Sequence, residues 1–249
     1  MPYREKKIYS GNMLEVEIYP ITLQDRKQKR KKKEKESPLK QKNLNDKNAK
    51  KKLIRLINTN FIDKDLVLHL TYTDKELPKS EEAARRDVAN YIRRVKRYRE
   101  KNGLDPLKYI AVIEYKEQTE NSKAIRIHHH IVISEMDRDI AEQLWTKGRA
   151  NADRLKGDEF GYEALGRYIT KDPKGNKRWT QSKNLKQPKV KVNDFKFTKR
   201  EVIEMSKYPE DRAMYEKLYS GYILSDCKAN VNEITAETYL YIKMRKLKP

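Results

Sequence analysis

From residue 61 onward the hydrophobic positions follow two alternating periods. Residues 65–74, DLVLHLTYTD, put Leu66, Leu68, Leu70 and Tyr72 on one side and Val67, His69, Thr71 and Thr73 on the other, the period-2 signature of a half-buried strand. A period near 3.6 follows. Ser80 is placed to cap a helix with Glu81 and Glu82 in its positive first turn, and Ala84, Val88, Tyr91, Ile92, Val95 and Tyr98 form its apolar stripe. That helix runs to about Glu100 and ends at Asn102-Gly103. KYIAVIEYKE (108–117) is a strand, QTENSKA a turn and IRIHHHIVIS (125–134) a strand. Asp137 or Asp139 caps a helix over IAEQLWTKG, RANADRL (149–155) predicts a further strand, and DEFGYEALGRYITK (158–171) predicts a helix stopped by Asp172-Pro173.

Strand, helix, strand, strand, helix, strand, helix is the order of the ferredoxin-like, RRM-like split βαβ arrangement with one helix added. The expected class is therefore α+β. An antiparallel sheet carries helices on one face and leaves the other for a ligand. The core is expected over residues 61–175. Residues 1–60 read as a basic, partly mobile N-terminal region, and 176–249 as a basic loop with a C-terminal extension. That extension predicts helices near 198–219 and two strands, SGYILSDCKANVNE and ETYLYIKMRK.

Charge narrows the partners. The 249 residues carry a formal net charge of +21, a field that selects an anionic partner. No run of 18 apolar residues and no lipidation motif is present, so nucleic acid is favoured over a membrane. Residues 26–52 alone hold 14 Lys/Arg against 3 Asp/Glu, net +11, a self-repelling block that adds affinity for phosphates. The single cysteine, Cys227, excludes an internal disulfide framework and a cysteine-based zinc site. With no apolar secretory segment at the N-terminus, a cytoplasmic protein is expected.

Histidine supplies the chemistry. The chain has four, and three are consecutive on the second central strand. Alternation puts Arg126, His128 and His130 on one face and Ile127, His129, Ile131 and Ile133 on the other. The isoleucine face is the buried one, so His129 reads as structural. His128 and His130 face the ligand side about 7 Å apart, from a rise of roughly 3.3 Å per residue. If the preceding strand pairs as a hairpin through 118–124, with its turn near Asn121-Ser122, Glu114 falls opposite His128 or His130. Either register places it on their face. His69 and Thr71 point to the same side and line it. Two imidazoles and a carboxylate with open positions suit Mn²⁺ or Mg²⁺, with Zn²⁺ a further candidate, as a Lewis acid on a phosphate oxygen.

The histidine–bulky–histidine strand resembles the HUH endonucleases, which cut single-stranded DNA with a tyrosine. LHLTYTD, VIEYKE, RIHHHIVIS and YEALGRYITK stand in the motif order of rolling-circle replication initiators of phages and plasmids, within residues 66–171. The resemblance implies a nucleophile on the helix after the histidine strand, which offers Tyr162 and Tyr168. Tyr162 falls on a stripe with Leu165, Gly166 and Ile169 and reads as packing, whereas Tyr168 lies at the stripe's edge and reads as the nucleophile. Lys171, one turn on, is placed to hold a phosphate. Ala164 occupies the place of the second tyrosine some relatives carry, and the middle histidine stands where an apolar residue is usual.

The implied activity is metal-dependent, site-specific nicking and joining of single-stranded DNA through a 5′-phosphotyrosine, initiating rolling-circle replication. The implied substrate is single-stranded or hairpin origin DNA. No Walker-type phosphate loop is present, so a host helicase and polymerase are expected partners. Residues 171–191 hold eight Lys/Arg against one Asp around Trp179, and Arg126, Lys174, Lys177, Arg178, Trp179 and Lys183 are the expected DNA contacts. Two other readings stay open: a non-catalytic nucleic-acid-binding module of RRM-like topology, and an HUH transposase or relaxase.

Overall fold

The computed structural model describes residues 2–21, 39–116, 124–171 and 178–247. Its first elements are β1 (Tyr3–Ser10), β2 (Met13–Pro20), α1 (Leu39–Asn60), β3 (Leu66–Leu70), α2 (Glu81–Lys101), β4 (Tyr109–Lys116), β5 (Ile125–Ile133) and α3 (Arg138–Gln143). These are followed by β6 (Ala150–Arg154), α4 (Glu163–Ile169), β7 (Thr180–Gln181), β8 (Lys189–Phe197), α5 (Lys199–Lys207), α6 (Arg212–Leu218), β9 (Tyr222–Val231) and β10 (Thr238–Lys246). They form two compact units, one of Asn60–Gly157 with Tyr162–Lys186, the other of Met1–Thr59, Asp158–Gly161 and Gln187–Pro249.

The first unit is the α+β arrangement expected from the pattern. Its antiparallel sheet has the order β6-β3-β5-β4-β7, the ferredoxin-like order with the short β7 added at one edge. Leu66, Leu68, Leu70, Ala111, Ile131 and Ile133 share one face and pack with Val88, Tyr91, Ile92 and Val95 of α2. Each such side chain removed from water contributes about 1.5–3 kcal/mol. α2 begins where the sequence predicts: the Ser80 hydroxyl oxygen accepts from the Ala83 N–H, with Glu81 and Glu82 in the first turn. The Tyr91 hydroxyl donates to the Ala141 carbonyl at 2.9 Å, tying α3 to the same side. His129 lies on this face, fully buried, with its Nε2 2.7 Å from the Tyr72 hydroxyl.

The opposite face is less open than expected. Ile110, Val112 and Val132 lie on it and are fully buried. The Tyr168 ring reaches His130, so α4 lies over this side. Apolar side chains on both sides of the central strands demand cover on both, while at the histidine end His69 is exposed and Thr71 and His128 are half-buried.

The second unit holds elements that the hydrophobic pattern did not predict. β1 and β2 are an antiparallel hairpin closed by Gly11-Asn12, and β8 pairs with β1 to give the order β8-β1-β2-β10-β9. Gly11 has φ +59°, and a Cβ there would stand 2.0 Å from the Asn58 carbonyl oxygen, so both conformation and contact require glycine. Leu14, Val16, Ile18, Leu240, Ile242 and Met244 pack with α5 and α6 on one face. On the other, Arg55 of α1 meets Glu15 and Glu17. The helices near 198–219 and the last two strands form as expected, with Thr198 and Glu201 making a capping box at α5.

Candidate active site

β3, β4 and β5 bring four polar side chains together. Glu114 pairs directly with His128 across the β4–β5 ladder, the first of the two registers that the hairpin allowed, and His69 pairs with His130 across β3–β5. The carboxylate Oε2 of Glu114 lies 3.5 Å from His128 Nε2 and 3.3 Å from His130 Nε2. The His69 ring is stacked on His130 at 5.0 Å and edge-on to His128 at 5.0 Å. The ligand atoms of His69, His128 and His130 lie within 4.8 Å of one another, a group that can hold a metal ion.

The proton positions follow from the partners. His128 Nδ1 is 2.9 Å from the Arg126 carbonyl oxygen, which can only accept. Nδ1 therefore carries a hydrogen, and Nε2 is the ring nitrogen turned to the carboxylate. A metal-bound imidazole is usually oriented by such a bond from its other nitrogen. His130 is almost fully buried, and its pKa is pushed down to about 3, first by burial and then by His128 and His69. Burial first, then His128, also lowers the pKa of His69. His130 Nε2 makes no hydrogen bond among the described residues although a carboxylate oxygen stands 3.3 Å away. A buried ring nitrogen without a hydrogen bond is costly, and a divalent cation between it and the carboxylate would satisfy both. The donor set of imidazole nitrogens and a carboxylate thus fits Mn²⁺, Mg²⁺ or Zn²⁺. His69 extends the set expected from the sequence. Its side of β3 was legible, but its convergence with β5 was not.

The two tyrosines separate as the helical stripe predicts. Tyr162, at the start of α4, is buried, and its hydroxyl donates to Asp63 Oδ1 at 2.7 Å. Burial and then Asp63 raise its pKa, which holds the phenol protonated. Tyr168 is 60% exposed, and its ring centroid lies 5.0 Å from that of His130. Lys171 follows one turn later, exposed, its backbone N–H donating to the Tyr168 carbonyl.

The expected DNA contacts fare differently. Arg126 sits on the histidine face but is ion-paired, its Nη1 2.8 Å from Asp74 Oδ1. Lys174 and Lys177, like the turn at Asn121-Ser122, lie outside the described residues. Arg178 and Trp179 are half-buried just before β7, and the Trp179 indole donates to Gln181 Oε1 at 2.8 Å. Lys183 is exposed beside a cavity of about 650 Å³ that Lys96, Arg99, Tyr109 and Ser182 also line. None of the four clustered side chains, nor Tyr168, lines that cavity.

Residues 65–173 match the family model described as replication-associated protein ORF2/G2P. The match begins just before β3, ends beyond α4, and includes the four clustered side chains and Tyr168. The segment is thus similar to replication-associated proteins. No curated protein and no solved structure gives a match. No helix among the described residues is long and apolar enough to cross a membrane.

Proposed function

We propose that the chain is a single-tyrosine endonuclease of the HUH type that nicks and rejoins single-stranded DNA to initiate rolling-circle replication. The observation that carries the reading is the position of Tyr168, an exposed phenol 5.0 Å, ring to ring, from a buried imidazole of the histidine cluster. Glu114, His128 and His130, with His69 as a further ligand, would hold a divalent cation. That cation, when bound, supplies Lewis-acid polarisation of the scissile phosphate.

The chain's own groups do the rest. The Tyr168 phenol oxygen attacks phosphorus in line with the O3′ leaving group. The P–O3′ bond breaks as the tyrosyl P–O bond forms, and the phenolic proton is balanced by the proton gained at the released 3′-OH. The phosphodiester energy is kept in the 5′-phosphotyrosine. A later attack by a 3′-OH reverses the step and rejoins the strand without a nucleotide cofactor. Lys171, one turn from the nucleophile, is suited to hold a phosphate oxygen as a charge-assisted donor. Arg126 is available to a phosphate only by leaving Asp74, an exposed pair that costs little to break. Arg178, Trp179 and Lys183 extend the path of the strand beyond α4. Host helicase and polymerase would open the duplex and extend the 3′-OH.

Incubation with a randomised single-stranded oligonucleotide pool and Mn²⁺, followed by denaturing electrophoresis, tests the reading. The wild-type chain forms a covalent protein–DNA adduct and Tyr168→Phe forms none. An undiminished adduct in that variant places the nucleophile elsewhere. Absence of any adduct in the wild type, with Mn²⁺ bound, returns the molecule to the class of non-catalytic binders.

A further inference from the structure

The last turn of α2 carries a buried cation with no carboxylate against it. Arg99 is 4% exposed. Its Nε donates to the Asp105 carbonyl at 2.8 Å, and its Nη1 to the carbonyls of Ser134 and Glu135 at 3.3 and 2.7 Å. All three partners are neutral backbone oxygens. Nη2 makes no hydrogen bond, and the guanidinium no ion pair, among the described residues. Burial lowers the pKa of Arg99 against the attraction of Asp105, Asp65 and Glu135. Arg55, the other well-covered arginine, has two carboxylates on it. A buried charge is ordinarily paired, so Arg99 is a fixed cation short of an anion.

Arg99 lines the cavity of about 650 Å³, a size within the range of small-ligand sites. The cavity is remote from the histidine cluster. Tyr109 on its wall stands five residues before Glu114 on β4, about 16 Å along the strand and on the opposite face of the sheet. Lys96, one turn before Arg99 on α2, and Lys183 add two exposed ammonium groups, neither in an ion pair among the described residues. Tyr109 contributes a half-buried ring, with Leu104 and Leu107 as apolar surface beside it. The Ser182 hydroxyl oxygen accepts from the Tyr109 N–H at 3.1 Å, and its own proton has no acceptor among the described residues. Two carboxylates, Glu100 and Asp105, share the wall.

These groups sort by what each can hold. Three cations suit a phosphate, an aromatic ring with apolar neighbours suits a base, and a carboxylate accepts from ribose hydroxyls. The same carboxylates repel the successive phosphates of a polynucleotide, so a single nucleotide fits this wall better than a strand. We propose that the cavity binds a free ribonucleoside phosphate, its phosphate on Arg99, Lys96 and Lys183 and its base against Tyr109. The chain then carries a small-molecule site apart from the histidine cluster, at the edge where β7 joins β4. The site is independent of the nicking reading, and nucleotide binding is measured without cleavage, so either can fail alone.

The test is isothermal titration of the full chain in EDTA, which strips cations from the histidine cluster. The probes are the four ribonucleoside 5′-monophosphates, one at a time, and inorganic phosphate. At least one nucleotide is expected to bind with a Kd below about 1 mM, about ten-fold or more tighter than phosphate, because the base adds stacking. Lys96→Ala combined with Lys183→Ala is expected to weaken that nucleotide about ten-fold or more. Both lysines are exposed, so the double variant keeps the parental melting temperature. Tyr109→Leu is expected to weaken the nucleotide about five-fold while leaving phosphate unchanged. With an oligodeoxythymidine of about ten nucleotides present, nucleotide affinity stays within about two-fold. No nucleotide binding, or phosphate bound as tightly as every nucleotide, overturns the proposal. So does a lysine variant of unchanged affinity, since the nucleotide then sits elsewhere. Full displacement by the oligonucleotide overturns it too, because the cavity then belongs to the path of the strand.

Discussion

On the sheet that contains β1 and β2, Glu15 and Glu17 meet Arg55 at 2.7 and 3.0 Å. Glu5 is met by Lys196 at 2.7 Å and by the Tyr219 hydroxyl at 2.9 Å, and Arg4 grips Asp194 through two nitrogens. On the sheet that contains β3, β4 and β5, Glu114 faces two imidazole nitrogens at 3.3 and 3.5 Å, and one of them is buried with no hydrogen bond. Both sheets bury carboxylates. In the first, each charge has an opposite charge against it, and the result is a structural clamp. In the second, imidazole nitrogens and a carboxylate converge without forming a full set of hydrogen bonds, a group that can hold a cation. Even Glu5 Oε2, buried without a hydrogen bond, has the Lys7 ammonium at 3.4 Å, so opposite charge, more than hydrogen bonding, distinguishes the first cluster from the second.

The largest effect that this contrast predicts is at His130. His130→Ala should remove Mn²⁺ binding in calorimetric titration and lower adduct formation by about a thousand-fold, near 4 kcal/mol, with little change in melting temperature without metal. Retained Mn²⁺ affinity would show that the buried imidazole is no ligand. The matched cluster should behave in the opposite way. Arg55→Ala removes the guanidinium bonds to Glu15 and Glu17, which keep Tyr241 and the lysines Lys6 and Lys51, and should cost about 1.5–3 kcal/mol in denaturant unfolding, while adduct yield per folded molecule stays at the wild-type level. A loss of catalysis at constant stability would erase the distinction between the two sheets.

A smaller effect is expected at His69, the exposed member of the group. His69→Ala should weaken Mn²⁺ binding by about 10–100-fold, the range seen when a supporting group is lost. An unchanged affinity would restrict the ligands to Glu114, His128 and His130. The last prediction is a pH slope. Burial first, and neighbouring imidazoles second, push the pKa of both His129 and His130 down to about 3, from an ordinary 6.5. The unfolded chain therefore binds protons that the folded chain refuses, and stability without metal falls as pH drops from about 6.5 towards 3. Melting temperatures measured in EDTA across that range should fall, and His129→Leu should flatten the slope. A melting temperature independent of pH would show that both rings accept protons in place.

Much of this was legible along the chain because it is local. Alternation on a strand decides which neighbours share a face, so the grouping of Glu114, His128 and His130 follows from parity and one hairpin. The Ser80 cap, the α2 stripe and the split of Tyr162 from Tyr168 follow from helical period alone. Gly11-Asn12 between YREKKIYS and MLEVEIYP is a two-residue hairpin turn flanked by alternating segments, a signal present in the chain but masked by the basic block after it.

The tertiary structure decided what no local period encodes. β8 is paired with β1 far along the chain, and lysines and valines that read as part of a basic loop become a strand only when that edge is offered. His69 joins the cluster because β3 docks beside β5, and His130 loses its proton because neighbouring packing removes water from it. The sequence by itself thus determined which side chains look the same way on each element. Which elements lie side by side, and how dry the space between them becomes, depended on long-range burial, because apolar contact is non-directional and is settled only when the whole core closes.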